Sequence, residues 1–66
     1  MSVVVLETLW STGTIRCVLV IRWQAPTHTV NLFDGARRIS TEIVDGPDDA
    51  LQVAALLREV FIGHPA

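Results

Sequence analysis

The side chains able to do chemistry in this chain are few and widely spaced. The one cysteine, Cys17, stands in "TIRCVLVIRWQ", Thr14 to Gln24, among apolar neighbours. A reactive thiol needs a histidine or basic group beside it to stabilise thiolate, and none shares its side of the strand, so Cys17 reads as packed and inert. His28 lies beside a loop. His64 follows a helical segment, where a cation meets the negative end of the helix dipole. Asp45, Asp48 and Asp49 in "VDGPDDA" lack the run of oxygen ligands of a calcium loop and read as charge at a helix start, which also disfavours a phosphate there. No Walker loop, GxGxxG, GxSxG or HExxH pattern occurs. The expectation is a non-enzyme with no catalytic set, no metal site and no cofactor.

The arginines are the remaining candidates. Arg16, Arg22 and Arg38 fall on one side of the expected sheet and form a possible set of anion contacts, whereas Arg37 alternates to the side opposite Arg38. Phe33 is expected outward beside them and offers one face for stacking a base. Single-strand readers use several surface aromatics on a basic field, and Trp10 and Trp23 read here as edges of the core. The net charge of −2, seven acids against five arginines with no lysine, gives no general attraction to nucleic acid or to an anionic membrane. Sheet-face nucleic-acid binding, of a regulatory or phage type, is therefore the alternative reading rather than the first.

The 66 residues make one domain, 1–66, near the size at which folding hides only about 60% of the surface of the unfolded chain. Half of the residues are apolar, more than so small an interior can hide, and a lone cysteine supplies no internal disulfide. Two of the usual staples of small domains, disulfides and structural metals, are thus not expected, which favours oligomerisation. The first residues, "MSVVVLETLW", lack the basic lead and long apolar core of a signal peptide, and the longest apolar run, Cys17 to Ile21, is too short for a membrane span. A cytoplasmic location without membrane contact is the resulting expectation.

Apolar residues repeat with period two from Val3 to about Val44 and with a helical period from Pro47 to Phe61. Val3 to Trp10 reads as the first strand and "STG", Ser11 to Gly13, as a tight turn whose glycine supplies a positive φ. With Thr12 and Gly13 as the turn, Trp10 faces Ile15, Thr8 faces Cys17, Leu6 faces Leu19 and Val4 faces Ile21. The other side then carries Val3, Val5, Glu7 and Leu9 beside Arg16, Val18, Val20 and Arg22. A three-residue loop would shift the register by one, sending Trp10, Leu6 and Val4 outward and Glu7 into the core, and is disfavoured for that reason. After "APTH", "TVNLF" forms the third strand, and Asp34 and Gly35 in "FDGA" suit a type I′ turn. The fourth strand, Ala36 to Val44, returns with Val30 opposite Ile39 and Asn31 opposite Arg38. Val30, Leu32, Ile39, Thr41 and Ile43 then face inward, and Asn31, Phe33, Arg38, Ser40 and Glu42 outward.

In "DGPDDALQVAALLREVFIGHP", Pro47 suits the first helical position, Asp48 and Asp49 suit the first turn, and Gly63 with Pro65 ends the helix. Ala50, Val53, Ala54, Leu57, Val60 and Phe61 share one stripe that should pack on the sheet, widened by Leu51 and Leu56. The expected fold is α+β: a four-stranded antiparallel meander with one C-terminal helix across one face. A helix of about fifteen residues spans about 22 Å and covers one face at most. The other face, with Val3, Val5, Val18, Val20, Phe33 and Val44 inside a rim of Arg16, Arg22, Arg38, Glu7 and Glu42, has the anatomy of an interface. The chain is therefore expected to be a small interaction module, a homodimer joined through its free sheet face or through the edge of the first strand, with a protein partner as a further possibility.

Overall fold

A computed structural model describes residues 4–63. Four strands, β1 (Val5–Thr12), β2 (Ile15–Ile21), β3 (His28–Asp34) and β4 (Arg37–Val44), are followed by one helix, α1 (Pro47–Phe61). The strands form a single antiparallel sheet in the order β1-β2-β3-β4, and α1 lies on one face of it. The α+β meander expected from the periodicity is the fold. No helix among the described residues is long and apolar enough to cross a membrane.

Both tight hairpins turn one residue later than expected. Thr12 pairs with Ile15 and Asp34 with Arg37, so the central residues are Gly13 with Thr14 and Gly35 with Ala36. Each glycine has a positive φ, 56° at Gly13 and 62° at Gly35, and among the described residues no other residue type does. Glycine at the first centre and an ordinary residue at the second is the type II′ pattern, not the type I′ turn that Asp34 and Gly35 suggested. The two turns sit side by side and are tied together. Thr14 donates its hydroxyl to an Asp34 carboxylate oxygen at 2.6 Å, and the Gly35 N–H donates to the Thr14 carbonyl at 2.8 Å.

Each outer strand also holds a β-bulge. In β1 the pairing jumps across Leu9: Trp10 lies opposite Cys17, but Thr8 lies opposite Val18 and Glu7 opposite Leu19. In β4 it jumps across Ile39: Phe33 lies opposite Arg38, but Leu32 lies opposite Ser40 and Val30 opposite Glu42. An extra residue reverses which side every later residue faces, because side chains alternate with period two. Trp10 thus stays inward, as expected. Leu6, Thr41 and Ile43 turn outward, and Val5, Glu7, Ser40, Glu42 and Val44 lie on the helix side. Glu7 is nevertheless exposed, because it sits on the edge strand.

The core is compact and built of small to medium side chains. Cys17 and Leu19 from β2, Val30 and Leu32 from β3, Val44, Ala50 and Ala54 are buried together, with Leu9, Trp10, Ile15, Ile21, Val53 and Leu57 packed around them. Ala50 and Ala54 are one helical turn apart, and their size lets the helix backbone come close to the sheet. Gly46 precedes the helix without a side-chain cap, Pro47 occupies its first turn and Asp48 and Asp49 supply the acidic start. Gly63, at φ 84°, ends it by donating to the Arg58 and Glu59 carbonyls. The expected packing stripe stops early: Val60 is 75% and Phe61 42% exposed. The helix follows β4, touches all four strands and meets β1 where Trp10 reaches Ala54, and its last turn is left exposed.

Candidate functional site

Two features stand out: the sheet face without a helix, and the exposed apolar residues of the β1 edge and of α1. On the first, cross-strand pairing sets Arg16, Phe33 and Arg38 in one row across β2, β3 and β4. The Arg16 guanidinium carbon lies 5.8 Å from the Phe33 ring centroid, within cation–π range. Arg22, just past the end of β2, lines the same groove as Phe33 and Arg38. The three arginines expected as anion contacts therefore do share a face.

The carboxylates do not share it. Glu7 and Glu42, expected in the outer rim, lie opposite Leu19 and Val30 on the helix side, as does Asp34 opposite Ile15. No strand residue on the open face carries a negative charge, and none of the groove's lining residues does. The sign separation is invisible in the net charge, because it arises from the two bulges.

The floor of this face is polar where it was expected to be apolar. Asn31 and Thr29 of β3 are 5% and 7% exposed, at the bottom of a groove of about 300 Å³. Thr41 donates its hydroxyl to the Asn31 amide oxygen at 2.7 Å, and the Asn31 amide nitrogen donates to the Thr29 hydroxyl oxygen at 3.0 Å. The loop after β2, closed by the Arg22 N–H on the Thr27 carbonyl at 2.7 Å, brings Pro26 to the groove's wall. Of the six residues expected at an interface, Val18, Val20 and Phe33 lie on the open face. Val44 is instead buried under α1, and Val5 faces the helix side opposite Ile21; Val3 lies outside the described residues.

The second surface was only half legible in the sequence. Leu51, Leu56, Val60, Phe61 and Ile62 are exposed along α1 and just after it, and Val4, Val5 and Leu6 are exposed at β1. A recess of about 330 Å³, lined by Val5, Ile21, Arg22 and Trp23, opens at the start of β1. Leu51 and Leu56 signalled this surplus by widening the helical stripe. Val60 and Phe61 did not, since their spacing fits the packed stripe equally well.

The remaining titratable candidates are isolated. Cys17 is fully buried, and burial pushes its thiol pKa up, away from thiolate. His28 has its Nδ1 3.0 Å from the Thr27 hydroxyl. His64 lies outside the described residues. Among the described residues no three histidine, cysteine or acidic side chains gather closely enough to hold a metal ion. Compared with models of protein families, with curated proteins and with solved structures, the chain matches none of them.

Proposed function

We propose that the chain is a non-catalytic interaction module that works as a homodimer, joined along the free edge of β1 and the exposed end of α1. The observation that carries this reading is the apolar surface that one chain leaves uncovered at the edge strand β1 and at the end of α1. β1 is an edge strand that begins with the exposed Val5 and Leu6, and these, with Val4 just before them, carry no charge ahead of Glu7. An unguarded edge offers a row of backbone donors and acceptors, and a two-fold axis lets the same edge of a second copy satisfy them. The other edge, β4, carries Arg37, Arg38 and Glu42, charges of the kind that discourage such pairing. Val60, Phe61 and Ile62 add exposed apolar surface at the end of α1, in a chain too small to bury it alone.

Charge argues against the other route expected from the sequence. Stacking two open faces would bring six guanidinium groups together with no carboxylate from either sheet face between them, and like charges in contact at an interface are costly. Sedimentation equilibrium over a wide concentration range tests the reading. A dimer is expected, with Leu6→Lys and Val60→Glu each weakening it by about tenfold or more and Val20→Arg leaving it intact. Circular dichroism checks that each variant folds. A monomer at every concentration, or a dimer broken by Val20→Arg alone, overturns it.

A further inference from the structure

We infer that the groove on the open sheet face is a binding site for a nucleotide, a phosphate ester carrying a planar base, with Arg22 and Arg38 on the phosphate and Phe33 against the base. Charge is the first support. Both arginines line the groove, no lining residue is acidic, and neither has a carboxylate partner among the described residues. A guanidinium presents several donors and no acceptor, and its fork matches phosphate oxygens.

The second support is the direction of the hydrogen bonds in the floor. Thr41 gives its proton to the Asn31 oxygen, and Asn31 gives one of its protons to Thr29. One of the two lone pairs of the amide oxygen, the floor's strongest acceptor, is therefore taken. The Thr29 hydroxyl proton and the second Asn31 amide proton are not used in these two bonds, so both residues, which line the groove, have a donor to offer a ligand there. A floor with donors to offer, flanked by cations and without a carboxylate, suits an oxyanion. Because Thr29 and Asn31 are buried on the central strand β3, these donors are held by a rigid element rather than a loop.

Size supplies the third. About 300 Å³ is at the small end of ligand sites and accommodates one nucleotide rather than the flank of a duplex. Phe33 also lines the groove, and an aromatic ring stacks any base because every base has a π-face. The nucleotide has two sources, a free mononucleotide or one unit of a single strand. Their shared chemistry is the phosphate beside an unstacked base.

The test is an NMR titration of the ¹⁵N-labelled chain at low salt with adenosine monophosphate, inorganic phosphate, adenosine and a short single-stranded oligoadenylate. The mononucleotide is expected to shift the Asn31 side-chain amide and the backbone amides of Thr29 and Phe33 saturably, with phosphate and adenosine each binding about tenfold more weakly. Arg22→Gln and Arg38→Gln should each weaken binding by about tenfold, the size of a lost charge-assisted hydrogen bond, while Arg37→Gln on the helix side leaves it unchanged. Tighter binding of the oligonucleotide at the same residues would identify the strand as the source, and equal binding the free nucleotide. The proposal is overturned by an absence of groove shifts with both, by phosphate alone matching the mononucleotide, or by Arg37→Gln weakening binding as much as Arg38→Gln.

Discussion

Trp10 reaches from the edge strand to the helix, where its indole N–H donates to the Ala54 carbonyl oxygen at 2.8 Å. This single bond joins the first strand of the chain to its last element, across 44 positions of sequence. It sits on the rim of the core, where the ring also packs against the buried cluster. The bond holds Trp10 inward, while the bulge at Leu9 changes the face of the residues before it. Without the extra residue, Thr8 rather than Glu7 would lie opposite Leu19, and Trp10 and the outward Leu6 could not both keep their places.

Replacing Trp10 with phenylalanine keeps most of the apolar contact and removes the donor. A loss of about 1 kcal/mol is expected, the net worth of one hydrogen bond, with some further loss from the smaller ring. Urea unfolding followed by circular dichroism measures it. Trp23, 72% exposed, is the control: Trp23→Phe should change stability by less than about 0.5 kcal/mol. Equal losses from the two would show that Trp10 is not the link between β1 and α1.

The bulge at Ile39 makes an equally sharp contrast between neighbours. Val44 is 8% exposed beneath α1, while Ile43, expected to face the core, is 71% exposed on the open face. Val44→Ala should cost about 2 kcal/mol through lost burial and the cavity left behind, and Ile43→Ala less than about 0.5 kcal/mol. The reverse order in thermal or chemical unfolding would restore the unbulged register.

Cys17 sets the response to alkali. Its folded-state pKa is raised by burial, so the folded chain holds its thiol proton where the unfolded chain gives it up. The stability this contributes is fully present below the unfolded thiol pKa, about 8.5, and is lost as pH rises from there through the folded value. Unfolding midpoints should therefore be insensitive to this group at neutral pH and fall above about pH 9. Cys17→Ala should be less stable at pH 7 because of its cavity, yet show a shallower alkaline decline. Thiol-reactive reagents should label the native chain only as fast as it opens, so labelling at the rate of a free thiol would place Cys17 outside the core.

The sequence by itself determined the kinds of element, their order and the main core strand. Those follow from periodicity, since Ile15, Cys17, Leu19 and Ile21 alternate whatever surrounds them, and Pro47 with Gly63 brackets a helix by local backbone chemistry. It also placed Arg16, Arg22 and Arg38 on a common face with Phe33, because β2 and the end of β3 are paired without interruption there. What only the tertiary structure decided is the side on which β1 and β4 present the rest. Leu9 and Ile39 carry no local mark of a bulge; the first leaves Leu9 and Trp10 both packed against the core, and the second lets Val44 enter the core beneath α1. One extra residue in each strand reverses everything beyond it. That reversal moved Val5 and Val44 away from the expected interface and carried Glu7 and Glu42 off the arginine face, turning an apolar patch with a mixed rim into a basic groove with a polar floor.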